Sequence, residues 1–241
     1  MDIKNKVFGL LTVSILAVGS PAFAATITGT VKFDGAVPKF KEIKMDADPV
    51  CLTHHHDPVI PETLVLGDGN TMANVFVHVK SGLPKKAYTP PQEPLVLDQK
   101  GCQYAPHVAG VMTGQTVKIL NPDGTLHNVH ALCKVNPEFN IAMPKFRTET
   151  THVFNKQEFM FAMKCAVHPW MGAWVSVLDH PFFATTQNDG KFTITNLPAG
   201  TYEIEAWQEK LGTQTATVTV GADEEKTVDF TYTKPSAPEK N

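Results

Sequence analysis

The sequence predicts an all-β protein containing more than one β-sandwich, and three observations lead to this prediction. Apolar and polar residues alternate over many short segments, turn-forming residues separate these segments, and few stretches show helical spacing. Many short strands between turns are typical of a sandwich or barrel. The 241 residues are enough for one large or two small domains.

Two half-buried strands lie in the first third of the chain. Their alternating small or apolar residues are Ile27, Gly29, Val31 and Phe33 in the first strand and Val75, Val77 and Val79 in the second. Residues 38–64 between them are predicted as loop because prolines at 49, 58 and 61 interrupt any regular run. The Pro-rich residues 83–94 that follow favour a domain boundary.

The same alternation continues to the end of the chain. Residues 111–114 lead into a predicted strand around Val117 and Ile119, and further strands are predicted at residues 152–154, 159–165, 174–178, 192–194, 202–206, 218–220 and 228–232. Asn188, Asp189 and Gly190 predict a hairpin turn between two short strands. Residues 234–241 are Pro-rich and charged, and we expect a disordered tail there.

The N-terminus has the pattern of a secretion signal. Lys4 and Lys6 precede an apolar run over residues 7–19, and small residues follow up to Ala24. We expect cleavage after Ala24, so that residues 1–24 are a signal peptide and the mature protein is periplasmic or secreted. A membrane anchor is the competing interpretation, but this run is shorter than the roughly 20 residues that a membrane-spanning helix needs.

Charge and composition exclude one broad class of function. The net charge is −3, and no run of Lys and Arg occurs after the first residues. Aromatic residues are not interleaved with basic ones, so a nucleic-acid-binding groove has no support.

The strongest chemical signal is the stretch KCAVHPWMG at residues 164–172. It places Cys165, His168 and Met171 at three-residue intervals after an apolar run. A thiolate, an imidazole and a thioether on one tight loop are soft or borderline ligands that suit copper. A trigonal copper site needs a second imidazole from elsewhere in the chain, and His127 is the candidate.

The four cysteines have to be divided between metal and disulfide. With Cys165 as a ligand, three remain, and Cys51 and Cys102 lie in loop sequence suited to a disulfide. The alternative is three buried, reduced thiols. Cys133 is then left over, and its position six residues after His127 leaves open a contribution to the metal region.

Residues 95–179 resemble the blue copper proteins, or cupredoxins, most closely the amicyanin and plastocyanin branch. The resemblance is carried by YAPHVAGVMTGQTVKILNPDGTLHNVH at residues 104–130, followed by CAVHPWM at residues 165–171. His127 and Cys165 are 38 residues apart, as an eight-stranded Greek-key sandwich requires.

The resemblance implies a role for each residue of the motif. His127, Cys165 and His168 would be the equatorial ligands of one type 1 copper ion, and Met171 the weak axial ligand. Asn128 would stiffen the ligand loops, and His168 would be the exposed exit for the electron. Pro169 and Trp170 beside it would form a small apolar patch for docking a redox partner, although Trp170 could equally be a packing residue.

The flanking segments resemble a different family, the carboxypeptidase regulatory-like, transthyretin-type β-sandwich. The matching stretches are ITGTVKFDGAVPKF, NVFVHVKSG and ATTQNDGKFTITNLPAGTYEIEAW. We therefore expect residues 25–94 and 180–233 to build one discontinuous sandwich, with a cupredoxin domain over residues 95–179 inserted in it. In the rival arrangement the early strands join the cupredoxin sandwich and residues 180–233 form a small appended module.

The function expected from these features is the carriage of single electrons between redox partners, such as a c-type cytochrome or a periplasmic dehydrogenase. A copper enzyme is disfavoured, because a second copper centre needs several His pairs and the chain has one His-x-His, at His54 and His56. The alternative is an envelope binding or structural module that stores or senses copper.

The run His54, His55, His56 has two interpretations. It could hold a second, exposed copper or zinc ion, or it could be an ordinary polar loop, which we favour.

Overall fold

The computed structural model describes residues 24–233, and almost all of their regular structure is β-strand. In chain order the strands are β1 (Ala25–Asp34), β2 (Phe76–Ser81), β3 (Leu95–Asp98), β4 (Val108–Met112), β5 (Thr116–Leu120), β6 (His127–Ala131), β7 (Phe139–Met143), β8 (Glu149–Val153), β9 (Glu158–Lys164), β10 (Gly172–Leu178), β11 (Phe183–Thr185), β12 (Lys191–Leu197), β13 (Gly200–Gln208), β14 (Gly212–Val220), β15 (Glu225–Thr227) and β16 (Phe230–Thr233). A five-residue helix, α1 (Pro49–Thr53), and a 3₁₀ turn, Asp68–Asn70, lie between β1 and β2. The all-β prediction is confirmed.

One sandwich is built from both ends of the described chain. Its first sheet has the order β12-β1-β15, with β16 also paired to β1, and its second has the order β11-β2-β13-β14. In β1 the alternation predicts the packing correctly, since Ile27, Val31 and Phe33 are buried in the core between these sheets. The chain leaves this sandwich after β2 and returns to it at β11.

The intervening strands form a second sandwich. Its larger sheet has the order β4-β10-β9-β6-β7 and its smaller one the order β3-β5-β8. A separate apolar core lies between them, with Ile119, Val129 and Phe161 among its members. The first residue of β6 and the end of β9 lie at the same end of the larger sheet, where the candidate ligands are found.

The two sandwiches touch through aromatic side chains and one buried ion pair. The rings of Trp174 in β10 and Trp207 in β13 meet edge to face, with centroids 5.3 Å apart. His107 Nε2 donates a hydrogen bond of 2.8 Å to Glu209 Oε1. These contacts join the first sandwich to the second. The second, built from β3–β10, is called the metal-site sandwich below because it carries the candidate ligands.

The predicted hairpin turn at Asn188–Gly190 is wrong in one respect. The chain does turn there, and the amide of Gly190 donates to the carbonyl of Gln187 at 2.8 Å. The flanking strands β11 and β12, however, belong to opposite sheets of the sandwich. The turn is therefore a crossover, because β11 finds its partner in β2 and β12 finds its partner in β1.

Residues 43–59 form a cap segment over one end of the second sandwich. The amide of Ile43 donates to the carbonyl of Val59, which brings the two ends of the segment together. Within it, α1 begins after Asp48, whose side chain accepts from the amide of Val50, and Pro49 occupies the first turn. The prediction of a loop for residues 38–64 missed this helix.

Within residues 24–233, no helix is long and apolar enough to cross a membrane. The predicted signal peptide and the predicted disordered tail lie outside the described residues, apart from Ala24 at the expected cleavage point.

Candidate metal centre

Strand pairing brings the predicted ligands to one end of the larger sheet. His127 is the first residue of β6, and Cys165 follows directly on β9. His168 and Met171 lie in the turn between β9 and β10, whose ends pair at Lys164 and Gly172. The pairing of β6 with β9 at His130 and Lys164 places His127 beside this turn.

Three soft or borderline donors converge at this end. The ligand atoms of His127, Cys165 and His168 all lie within 4.8 Å of one another, and all three residues are buried. The two imidazoles face each other through Nδ1, 2.9 Å apart, and His168 Nδ1 lies 3.9 Å from Cys165 Sγ. At this distance a proton on one of the two Nδ1 atoms forms a hydrogen bond to the other. A metal ion bound between the two Nδ1 atoms would replace that proton.

Met171 closes the turn on the inner side. Its main-chain N–H donates to the carbonyl of His168 at 2.9 Å, and its carbonyl accepts from the amide of Cys165 at 3.3 Å. The side chain is buried in the same apolar core as Cys165. The main chain of Met171 is therefore hydrogen-bonded to both His168 and Cys165.

Asn128 ties the two ligand segments together. Its Oδ1 accepts a hydrogen bond of 2.6 Å from the amide of Ala166 and lies 3.4 Å from Cys165 Sγ. Its own carbonyl accepts from Tyr104 Oη at 2.6 Å. Asn128, which follows His127 in sequence, thus fixes the loop that carries Cys165 and His168.

The outer nitrogen of His127 is bonded to a buried carboxylate. Nε2 of His127 lies 2.9 Å from Asp123 Oδ2, and the amides of Gly101 and Cys102 each donate to Asp123 at 2.7 Å. Burial alone would raise the pKa of Asp123, but these hydrogen bonds lower it. In return, the hydrogen bond and charge of Asp123, with help from Cys165, overcome the effect of burial and raise the pKa of His127 to about 9.

The surroundings of the Cys165 thiol lower its pKa. Burial acts to raise its pKa, but hydrogen bonds from His127 and from the main chain of Asn128, His168 and Val167 outweigh it and lower the pKa to about 7. A thiol that ionises this readily is a good metal ligand, since the thiolate is the species that binds.

The expected exposure of His168 is wrong. Its ring is only 2% exposed, because the cap segment covers it. Its Nε2 donates to Asp48 Oδ2 at 3.0 Å, and Cys51 Sγ is 3.5 Å from the same nitrogen. The resemblance could not predict this, since the cap comes from residues outside the matching stretch.

A disulfide between Cys51 and Cys102 attaches the cap to the metal-site sandwich. Next to it, His55 Nε2 is 2.7 Å from the carbonyl of Gly101, and His54 Nε2 is 3.5 Å from Asp123 Oδ1. The histidine run therefore contributes two contacts that hold the cap. Among the described residues, His54, His55 and His56 do not appear in any group with metal-binding geometry.

The remaining thiol, Cys133, is free and buried, and it belongs to none of the metal-binding groups in residues 24–233. Burial raises its pKa to about 12, and the nearby Glu158 and Glu138 add to the effect. It has the properties of a packing residue.

The two residues predicted for partner docking differ in environment. Pro169 is exposed. Trp170 is half-buried, its ring centroid lies 5.1 Å from that of His168, and its Nε1 donates to the carbonyl of Cys102 at 3.0 Å.

Sequence reasoning missed the two carboxylates, Asp48 and Asp123. Asp123 lies four residues before His127 in a turn sequence, NPDG, so its proximity to the ligand could have been inferred. Asp48 followed by Pro49 has the pattern of a helix start, but nothing in the sequence indicates which surface that helix covers.

A family comparison bears on the sandwich that contains β1, β2 and β11–β16. Residues 168–233 match the carboxypeptidase regulatory-like domain. The match to the regulatory-like domain begins in the ligand turn and runs across β10, whereas β10 pairs with β4 and β9 in the metal-site sandwich. Strand pairing therefore places β10 outside the sandwich that the family model describes. Only β11–β16 of the matched stretch lie in that sandwich.

Solved structures of an amicyanin, a copper-containing nitrite reductase and a purple cupredoxin are similar to part of this chain. A Cu(I) amicyanin variant is 24% identical, with 42% of this chain and 97% of that chain covered and a TM-score of 0.32. A copper-containing nitrite reductase from Thermus scotoductus is 19% identical over 42% of this chain and 26% of that chain, with a TM-score of 0.32. A purple cupredoxin from Nitrosopumilus maritimus is 21% identical over 34% of this chain and 98% of that chain, with a TM-score of 0.29. No curated protein sequence is significantly similar. Both resemblances expected from the sequence are thus found among the matches.

The donor set itself fits a copper ion. One thiolate and two imidazoles, excluded from water and within reach of a thioether loop, favour copper over hard ions such as Mg²⁺ or Ca²⁺, which prefer oxygen ligands. Each imidazole is also supported through its outer nitrogen by a carboxylate, an arrangement that is usual for metal-bound histidines.

Proposed function

We propose that the chain is a type 1 copper protein that carries single electrons in the periplasm or outside the cell. The observation that carries the proposal is the convergence of His127, Cys165 and His168, all buried, with their ligand atoms within 4.8 Å of one another. Met171 would supply the weak axial contact from the same turn.

Bound copper would supply a centre that alternates between Cu(I) and Cu(II). The protein would keep the ligand atoms in the same positions in both oxidation states. Electron transfer is fast when the site does not have to rearrange. Asn128 holds the ligand loop to β6, the Cys51–Cys102 disulfide holds the cap, and Asp123 holds the outer nitrogen of His127.

We propose carriage rather than catalysis. The three groups with metal-binding geometry in residues 24–233 share His127, His168 and Cys102 among them, so they describe one region instead of two separate centres. The partners would be redox proteins, for example a c-type cytochrome or a periplasmic dehydrogenase.

We also propose that residues 95–179 are the copper domain and that residues 25–94 and 180–233 are the two parts of the regulatory-like domain. In support, each sheet of that sandwich contains strands from before β3 and from after β10.

One observation favours the alternative function. The ring of His168, expected to be the exposed exit for the electron, is covered by the cap. A covered ion suits storage or sensing in an envelope module, whereas a carrier needs a short path to its partner. The two functions differ in speed, so kinetics can separate them.

The first experiment tests the metal centre. Protein from residue 25 onward would receive Cu(II) and then ascorbate, with visible and EPR spectra recorded at each step. We expect an intense blue or green band with narrow copper hyperfine splitting that ascorbate bleaches reversibly. Cys165→Ser should abolish the band, while Cys133→Ser, which changes the other free buried thiol, should keep it. A coloured Cys165→Ser variant would overturn the ligand assignment.

The second experiment separates carriage from storage. Stopped-flow mixing with a reduced c-type cytochrome would follow the loss of colour, and a Cu(I) chelator would report any release of metal. Reduction within milliseconds without release of copper supports electron carriage. Slow reduction, or reduction accompanied by loss of the ion, would favour the storage or sensing module.

A further inference from the structure

The cap places a carboxylate on the outer nitrogen of a candidate ligand. Asp48 Oδ2 accepts a hydrogen bond of 3.0 Å from His168 Nε2. The same oxygen accepts from Thr125 Oγ1 at 2.9 Å, and Oδ1 accepts from the amide of Val50 at 2.9 Å. Both oxygens are therefore engaged, and the carboxylate has little freedom to turn away from His168.

The position of Asp48 is fixed by the structure around it. Asp48 is the N-cap of α1, and three residues later Cys51 joins the helix to Cys102. Thr125, which holds Oδ2, lies in the loop that leads to His127. The carboxylate is thus attached to both ligand-bearing parts of the site.

The charge of Asp48 is retained at neutral pH. An aspartate carboxylate is ionised at neutral pH, and the three hydrogen bonds that Asp48 accepts favour its charged form. The Nε2 edge of the His168 ring therefore faces a negative charge. In the exposed position expected from the sequence, the same edge would face water.

We propose that Asp48 is a positioning residue of the metal centre, which turns His168 Nδ1 inward and makes the bound copper harder to reduce. This inference rests on the proposed function. Because Nε2 donates to the carboxylate, a neutral His168 ring carries its proton on Nε2 and presents Nδ1 to the metal.

The effect on reduction follows from electrostatics. A carboxylate that accepts a hydrogen bond from a metal-bound imidazole makes that imidazole a stronger donor. A stronger donor and a nearby negative charge both stabilise Cu(II) more than Cu(I), because the ion of higher charge gains more. Removing the charge should therefore shift the balance towards Cu(I).

The central test is the reduction potential of copper-loaded Asp48→Asn. We expect the ratio of Cu(I) to Cu(II) at a fixed solution potential to rise about tenfold, which is about 59 mV for a one-electron couple. Asp46→Asn is the matched control, because it removes the same charge from an exposed side chain of the same segment. The control should change the ratio less than about twofold, since exposed charges are screened.

A second variant should act in the opposite direction. Thr125→Val keeps the shape of the side chain but removes the hydroxyl that donates to Asp48 Oδ2. The carboxylate then concentrates its acceptor capacity on His168, so the ratio of Cu(I) to Cu(II) should fall. If Asp48 only held the cap in place, both variants would loosen the site and shift the ratio in the same direction, which would overturn the proposal.

A measurement without metal completes the test. Nitrogen NMR of the metal-free protein should find the proton of His168 on Nε2, and Asp48→Asn should lower the share of that tautomer. If wild-type protein binds copper with the expected spectrum but the reduction potential of Asp48→Asn is unchanged, the proposed role of Asp48 is contradicted and the proposed function is not. Wild-type protein that forms no such centre contradicts the proposed function, whatever the tautomer.

Discussion

The side-chain oxygen of Asn128 accepts a hydrogen bond of 2.6 Å from the amide of Ala166, across the gap between β6 and the ligand turn. One end of this bond lies next to His127 and the other next to Cys165. The two candidate ligands are far apart in sequence, so their separation in the folded chain depends on this contact as well as on the pairing of β6 with β9.

Asn128→Ala should loosen the centre. The amide of Ala166 loses its acceptor, and an unpaired polar group in a partly buried position costs about 1–3 kcal/mol of unfolding free energy. Chemical denaturation would measure the loss, and transfer of copper to a chelator should become faster. Asn140→Ala is the control, because it removes only the outer bond from Asn128 Nδ2 to Asn140 Oδ1. Equal effects of the two variants would contradict the bridging role.

Much of the fold could be predicted because its signals are local. The alternation of Ile27, Val31 and Phe33 is set by the two-residue period of a strand and needs no knowledge of the partner strand. The grouping of Cys165, His168 and Met171 on one turn is equally local. The turn at Asn188–Gly190 shows the limit, because a turn sequence does not indicate whether the next strand stays in the same sheet.

The cap could not be predicted for the same reason. The burial of His168 depends on residues 43–59, which are more than a hundred positions away in sequence and reach the site through one disulfide and a few hydrogen bonds. Contacts of this kind leave no period in the sequence. The pairing of Cys51 with Cys102 was expected from their loop context, but the place of that disulfide beside a metal ligand was not.

Gly29→Ala should destabilise the sandwich that contains β1. A Cβ at this position in β1 would lie 1.9 Å from the carbonyl oxygen of Val228 and 2.6 Å from ring atoms of Phe192. Since a main-chain atom must move, we expect a loss of about 3 kcal/mol, at the upper end of overpacking costs. Gly221→Ala is the matched control, because its nearest neighbour would be 3.4 Å away. Thermal unfolding would compare the two variants, and similar melting temperatures would contradict this account.

The ion pair between His107 and Glu209 should make stability depend on pH. Burial would lower the pKa of His107, but the hydrogen bond and charge of Glu209 raise it above the usual 6.5. Burial would raise the pKa of Glu209, but His107 and the Nε1–H of Trp174 lower it below 4.5. The contribution of His107 is complete below pH 6.5 and is lost as pH rises through its raised pKa. That of Glu209 is complete above pH 4.5 and is lost as pH falls through its lowered pKa, so the pair stabilises most between these values.

Glu209→Gln tests this pair. Both side chains are at least nine-tenths buried, so removing one charge should cost about 3 kcal/mol near pH 6, and the difference from wild type should shrink at high pH. Glu149→Gln is the control, because it changes an exposed ion pair with Lys118 that is expected to be worth less than about 1 kcal/mol. Urea unfolding at several pH values would measure both. A Glu209→Gln loss that is independent of pH would contradict the assignment.

The Cys51–Cys102 disulfide should stabilise the protein and keep His168 covered. It links residues 51 positions apart, and the loss of chain entropy in the unfolded state predicts about 4 kcal/mol of stabilisation. We therefore expect Cys51→Ala combined with Cys102→Ala to lower the unfolding free energy of the metal-free protein by about that amount. His168 should also become reactive towards diethyl pyrocarbonate, because the cap would be held only by hydrogen bonds such as those of Asp48 and His55. Cys133→Ala, which leaves the disulfide intact, should keep His168 protected, and protection of His168 in the double variant would contradict the role of the disulfide in closing the cap.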